Sequence, residues 1–323
     1  MTQAPAVRRA EERLRWREID GIVLLDKPAG LGSTPALQRV RRLLRAAKGG
    51  HAGTLDPMAT GMLPLCFGEA TKACGTLLGS AKAYRARLRL GEATDTGDAE
   101  GSVVRSAAVP ALDRARVATA LAGLVGDREQ RPPMYSALKH HGRPLYELAR
   151  RGEQVERAPR PVTIHRLELL DLSGTEVEFE VACSKGTYVR VLGEEIAGLL
   201  GTAGHLGALR RLWVEPFDPA SMVSLAAVED WAAAGAAEQR PAWLLPTDAA
   251  FIGLPRLDVD DGQSLHLRQG RMVRVGGRPA TGPLRAYDAA GRFLGLVEPA
   301  PDGAVRVVRL FVPGASESRA PHP

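Results

Sequence analysis

The chain has 323 residues, 45% hydrophobic and 25% charged, enough for a sizeable core and for two domains. Its formal charge of +6 suits an anionic partner such as nucleic acid, although charge alone also fits many proteins that bind none. Three scattered cysteines without CxxC spacing and seven histidines without an HExxH pattern argue against a disulfide scaffold or a zinc site, and no apolar run approaches the ~18 residues of a membrane span.

Residues 1–18 carry Arg8, Arg9, Arg13, Arg15 and Arg17 against Glu11, Glu12 and Glu18, with no apolar stretch of signal-peptide type. They read as a basic, flexible extension of a cytoplasmic protein. Residues 22–25 form an apolar run stopped by Lys27-Pro28-Ala29-Gly30, a strand entering a turn. The spacing of Leu37, Val40, Leu43 and Leu44 predicts a helix over 35–48. Its other face holds Arg39, Arg41, Arg42, Arg45 and Lys48 with no acid among them, which is either a solvated face or a phosphate-facing one.

The next segment, His51-Ala52-Gly53-Thr54-Leu55-Asp56-Pro57-Met58-Ala59-Thr60-Gly61-Met62-Leu63-Pro64, places Asp56 alone among Gly, Pro and Thr; no other acid lies between Asp26 and Glu69. Such loops fix unusual backbone angles and often carry function. By itself, Asp before Pro is more commonly a turn residue bonded to nearby backbone.

Residues 84–90 alternate strictly, with Tyr84, Ala86, Leu88 and Leu90 on one face and three arginines on the other. Residues 111–125 fit a helix. From 131 to 160 seven cations oppose Glu147, Glu153 and Glu156, with Tyr135 and Tyr146 interleaved. That mixture suits an RNA backbone and splayed bases, or else a solvated loop. Residues 175–181 alternate again, Val177, Phe179 and Val181 pointing inward, and 188–200 shifts to helical spacing. Strands and helices mix without a βαβ rhythm or a glycine fingerprint, which gives an α+β fold. Composition shifts to Ala and Gly at 231–240. Short β-like pieces follow at 272–275, 284–287, 293–297 and 305–311, a small β domain. Residues 313–323 read as a disordered tail.

The Asp56 loop, with Gly50 before it, resembles the catalytic motif of the TruB family of tRNA pseudouridine synthases. Other segments resemble the family's remaining motifs, in order: residues 21–30, Lys82-Ala83-Tyr84-Arg85-Ala86, residues 90–98, Pro133-Met134-Tyr135-Ser136-Ala137-Leu138-Lys139, residues 145–150, Cys183-Ser184-Lys185-Gly186-Thr187-Tyr188-Val189-Arg190 and Ala208-Leu209-Arg210-Arg211. The resemblance spans about residues 21–217 and departs from the common pattern at Gly32, Gly97 and Gly207. It implies a mixed, mainly antiparallel sheet in a catalytic domain over 19–245, an RNA-contacting insertion over 131–160 and a PUA-like RNA-binding domain over 251–312.

The resemblance also assigns roles. Asp56 is the nucleophile, Arg190 pairs with it, and Tyr84 stacks on the flipped uracil, with Tyr188 and Leu209 completing the pocket. His51 sits among displaced T-loop bases, and Lys27 contacts substrate phosphate or supports the loops. Arg131, Lys139, Arg143, Arg150 and Arg151 contact RNA. For each, a bland role is available: core aromatic, core leucine, surface cation or turn residue. The implied activity converts uridine 55 in the T-stem-loop of tRNA to pseudouridine, with no cofactor or metal, no obligate protein partner and a monomeric enzyme. The alternatives are a guide-RNA-dependent synthase subunit and a non-catalytic tRNA-folding chaperone.

Overall fold

A computed structural model of the protein describes residues 16–235, 239–276 and 281–311. The first fifteen residues of the expected extension, and the expected tail, lie outside them. Trp16 to Glu18 are tethered: the Arg17 amide donates to the Arg45 carbonyl and its carbonyl accepts from Ala47, while Arg41 stacks over the Trp16 ring.

The main sheet has ten strands. Its principal path runs Val223–Ser224, Gly21–Lys27, Thr60–Phe67, Gly204–Val214, Lys82–Leu90, Glu176–Cys183, Arg160–Ser173 and Gly126–Gln130. Leu244–Leu245 and Gly49–His51 pair off this path. Parallel pairing occurs between the first two strands and between Thr60–Phe67 and Gly204–Val214; the other pairs are antiparallel. The expected α+β, mainly antiparallel architecture is therefore what forms.

Both faces of the sheet centre are covered, so its strands alternate between two cores rather than between core and water. Val23 and Leu25 of Gly21–Lys27 belong to one core, which also takes residues of the helices Ser33–Leu44, Arg114–Ala122, Val189–Leu199 and Leu225–Ala233. Ile22 and Leu24 face the other way, against Leu77, Phe217, Phe251 and Phe311. Towards the sheet's outer half the second face is open. There Arg85, Arg87 and Arg89 are exposed and pair across the strands with Glu178 and Glu176 at 2.7–3.8 Å. Tyr84, Ala86, Leu88 and Leu90 are buried as their alternation requires, as are Val177, Phe179 and Val181.

The first helix ends at Leu44, four residues before the expected end. Arg45 adopts a left-handed conformation (φ 56°), and Arg41 holds the Ala46 and Ala47 carbonyls as the chain turns away. Its cationic face is not wholly unbalanced, because Arg39 meets Glu229 of Leu225–Ala233 at 2.5 Å.

The C-terminal region forms a five-stranded sheet from Arg256–Asp258, Leu284–Tyr287, Phe293–Pro299, Ala304–Leu310 and Val273–Arg274. A helix not expected there, Asp261–Arg268, covers it. Phe251, Phe293 and Phe311 stack at 5.3–6.1 Å and join this sheet to the back of the main one.

Candidate active site

Asp56 lies in the loop between Gly49–His51 and Thr60–Phe67. Gly53 in this loop and Gly61 at the start of the strand that follows have φ of 99° and 96°, values that an L side chain rarely adopts. Gly61 is held against the backbone of Arg211, its partner on Gly204–Val214, where a Cβ has no room. The loop is thus held by close backbone approach, and the Asp56 side chain is left 34% exposed.

Arg190, in the first turn of Val189–Leu199, reaches it from the opposite wall. Its Nε lies 3.0 Å from Asp56 Oδ2 and its Nη1 3.6 Å from Asp98 Oδ2, while the arginine side chain is only 6% exposed. Nη1 also donates to the Thr96 carbonyl at 2.6 Å and Nη2 to the Tyr135 carbonyl at 2.7 Å. One guanidinium therefore locks together the Asp56 loop, the 94–98 loop and the 131–160 segment. Gly97 accommodates this junction: its φ is 75°, and a side chain there would come within 2.7 Å of Glu194 Oε1. That is a local reason for glycine at one of the positions that depart from the family pattern.

Burial pushes the Asp56 carboxyl above the usual carboxylate range, and Arg190, though it opposes this, does not cancel it; Asp98 adds to the rise.

Tyr84 lies on Lys82–Leu90, cross-strand from Arg211, and is buried beside Leu209 in the larger core. Its phenol is raised by burial, with Asp56 among the charges it senses. Tyr188 caps Val189–Leu199 and is half-buried. Its amide donates to Gln130 Oε1 at 2.7 Å and its carbonyl accepts from Gln130 Nε2 at 3.2 Å, which fixes the start of the helix that carries Arg190. His51 is kept neutral by burial and by the Arg211 charge, and its Nδ1 has no hydrogen-bond partner.

Lys27 is placed where it can support the loops. It is fully buried, and its ammonium donates to the carbonyls of Pro28 (2.9 Å), Leu31 (2.6 Å) and Pro57 (3.2 Å). Burial lowers its pKa to about 8, against the pull of Asp56. Through these carbonyls Lys27 ties the first turn to the residue after Asp56.

In the 131–160 segment Arg131, Lys139, Arg143, Arg150 and Arg151 are all exposed. None forms an ion pair with a described residue. Arg150 lies over the Tyr146 ring at 5.7 Å. Arg157 is spent on the Val155 and Pro132 carbonyls. Asp98 and Arg211, to which the sequence assigns no role of their own, are buried parts of the site. Their importance depends on partners far away in sequence, so spacing carries no signal for it. Among the described residues no cluster of three His, Cys, Asp or Glu is arranged to hold a metal ion, and no helix is long and apolar enough to cross a membrane.

The fold agrees with solved structures: a Cbf5-Nop10-Gar1 complex matches at TM-score 0.70 and 23% identity over 93% of this chain and 86% of that one. An H/ACA RNP bound to a substrate RNA containing 2′-deoxyuridine matches at 0.69 and 21% over 91% and 85%. At these identities the likeness is one of fold.

The sequence comparisons are more specific. The profile of the TruB family pseudouridylate synthase N-terminal domain matches residues 41–189, that of the tRNA pseudouridylate synthase B C-terminal domain 190–252, and that of the pseudouridine synthase II TruB C-terminal domain 255–311. The tRNA pseudouridine synthase B of Chromohalobacter salexigens is 52% identical over 93% of this chain and 96% of its own length. That of Aromatoleum aromaticum is 52% identical over 92% and 94%. The chain belongs to the TruB family of pseudouridine synthases.

Proposed function

We propose that the protein converts uridine 55 in the T-loop of tRNA to pseudouridine, with Asp56 as the nucleophile. The observation that carries this is the Asp56–Arg190 pair: a partly exposed carboxylate aimed by a buried guanidinium in a loop with little backbone freedom. In the reaction the C1′–N1 bond breaks, the uracil turns, C5 joins C1′, and the C5 proton is lost as N1 gains one. The balance needs no redox partner or transferred group.

The target base must leave its stack to meet Asp56. Tyr84 stacks on it, because an aromatic face holds a base in any rotation. Tyr188 and Leu209 close the pocket, and His51, neutral, packs against the bases displaced with it. Arg131, Lys139, Arg143, Arg150 and Arg151 take the T-stem backbone, supported by their exposure without ion-pair partners among the described residues. The C-terminal sheet acts as a PUA-like RNA-binding domain over 251–312. The enzyme works alone, as a monomer, in the cytoplasm with its substrate.

The tRNA name carried by relatives at about 50% identity favours this over guide-RNA dependence, which only a likeness of fold would support. A purely tRNA-folding role leaves the Asp56–Arg190 pair without a use. The test is to treat a T-stem-loop transcript and a full-length tRNA transcript with purified protein and to map pseudouridine by base. Modification at uridine 55 in both, without added RNA or protein, is expected. Modification elsewhere, or only with a guide RNA, would contradict the assignment.

A further inference from the structure

The helix Ser33–Leu44 carries Arg39, Arg41 and Arg42, and the turn after it Arg45 and Lys48, with no acid among them. The structure divides these five cations. Arg39 is paired with Glu229. Arg41 turns back on the chain: its Nε and Nη2 donate to the Ala46 and Ala47 carbonyls at 3.0 and 2.8 Å, and its guanidinium lies over the Trp16 ring at 4.6 Å. Arg42, Arg45 and Lys48 are exposed, and none forms an ion pair with a described residue.

The backbone beneath these three is fixed. The Arg17 amide donates to the Arg45 carbonyl at 2.7 Å, the Ala47 amide to the Arg17 carbonyl at 2.8 Å and the Gly68 amide to the Lys48 carbonyl at 3.1 Å. Arg42 and Arg45 stand three residues apart, which puts them on one side of the helix. Arg45 caps the helix in a left-handed conformation, φ 56° and ψ 30°. Glycine takes that conformation without strain and a residue with a Cβ does not, so a cation is kept where the backbone favours glycine. Trp16, half exposed, adds an aromatic face at the same corner, and Glu18 is the one acid of the tethered stretch 16–18. Lys48 directly precedes the strand Gly49–His51 and stands three residues before His51, roughly 10 Å along an extended chain. The patch therefore lies outside the uracil pocket, on the strand that leads to it.

We propose that Arg42, Arg45 and Lys48 form a second RNA-binding surface, which takes backbone phosphates of the tRNA away from the flipped base. This rests on the reading of tRNA as the substrate. Unpaired cations on a fixed, open corner suit a polyanion, whose counterions they release on binding. Contacts of this kind fix register and orientation and carry no sequence information, which suits an enzyme that reads its target base elsewhere. A T-loop base delivered to Asp56 brings its stem with it, and other parts of a full-length tRNA offer the same phosphate chemistry. Cations at a helix C-terminus also complement the helix dipole, a purely structural use that the test must separate from RNA binding.

The test compares wild type with Arg42→Gln/Arg45→Gly/Lys48→Gln by thermal melting and by affinity for a full-length tRNA transcript and a T-stem-loop over a range of salt. Glycine relieves the left-handed strain at position 45, so the variant should stay folded. Its affinity for full-length tRNA should fall at least about threefold, and the slope of log affinity against log salt should flatten by roughly 0.7–0.9 for each phosphate lost, about 2 in all. An equal loss with the T-stem-loop assigns the phosphates to the stem; a loss with the full-length transcript alone assigns them to another part of the tRNA. Affinity and slope equal to wild type with both RNAs would overturn the proposal, and a lower melting temperature beside them would leave these cations as helix-end stabilisers. Wild-type protein that neither binds nor modifies tRNA would instead sink the substrate reading on which the proposal rests. If the triple variant does not fold, Arg42→Gln/Lys48→Gln leaves Arg45 in place and should flatten the slope by about 1.5; an unchanged slope there overturns the proposal equally.

Discussion

Arg190 holds Asp56 at 3.0 Å through Nε while its Nη1 faces Asp98 at 3.6 Å, so one buried cation is shared between two carboxylates of different exposure. Asp98 is buried and takes the Thr96 hydroxyl (2.6 Å) and the Glu100 amide (3.1 Å). The Asp56 side chain is partly exposed. The pair leaves one carboxylate structural and the other available for chemistry.

The first prediction concerns pH. As the proposed nucleophile Asp56 would have to be ionised, and its pKa is raised by burial. The single-turnover rate should therefore fall with decreasing pH through an apparent pKa above the ordinary carboxylate value of about 3.8. Arg190 favours the ionised form, so Arg190→Gln removes that support and should shift the acid limb of the residual activity to higher pH. An unchanged limb, or one moved to lower pH, would show that Asp56 is not the group titrating.

The second separates the ring of Tyr84 from its hydroxyl. Tyr84→Phe keeps the aromatic face and should leave T-stem-loop affinity within about twofold of wild type. Tyr84→Leu removes the face and should lower turnover much further than Tyr84→Phe does. Equal, full activity in both would make Tyr84 a core residue alone.

Lys27 should behave as a brace. Lys27→Met leaves the Pro28, Leu31 and Pro57 carbonyls without their donor, and an orphaned buried polar group costs ~1–3 kcal/mol. Denaturant unfolding should show a loss of that order. Binding of T-stem-loop RNA by the folded variant should keep its salt dependence, because Lys27 neutralises no phosphate. A flatter salt dependence would restore Lys27 as a phosphate ligand.

Arg150 and Arg151 should act the other way. Arg150→Gln/Arg151→Gln removes two exposed cations of the 131–160 segment, which should weaken RNA binding. The slope of log affinity against log salt should flatten by roughly 0.7–0.9 for each phosphate that is no longer neutralised. The single-turnover rate at saturating RNA should stay near wild type. Affinity and slope equal to wild type would make this face a merely solvated one.

Much of this fold was legible where a local pattern decides the structure. The alternation at 84–90 and at 177–181 predicts the burial of Tyr84 and Phe179, because one face of each strand packs against helices and the period is two. Helix ends were less legible. Arg45 takes a left-handed conformation without being glycine, and the chain wrapped by Arg41 is a tertiary event. The helix Asp261–Arg268 did carry a signal: Asp260 and Gln263 form a capping box, a spacing visible in the sequence but weak among short β-like pieces. In the site, Asp56, Tyr84 and Arg190 stand out through motif resemblance. Asp98 and Arg211 do not, since each depends on groups brought together only by folding. Arg39, unbalanced along its own helix, finds Glu229 in the same way.

Whether Asp56 supplies the nucleophile is tested most directly by one substitution. Asp56→Asn keeps the size and shape of the side chain and removes its charge. T-stem-loop RNA should bind the variant with affinity near that of wild type, and thermal melting should show a folded protein. Single-turnover assays at saturating RNA should then detect no pseudouridine over many wild-type half-lives. Pseudouridine formed by Asp56→Asn at a rate near wild type would contradict the nucleophilic role.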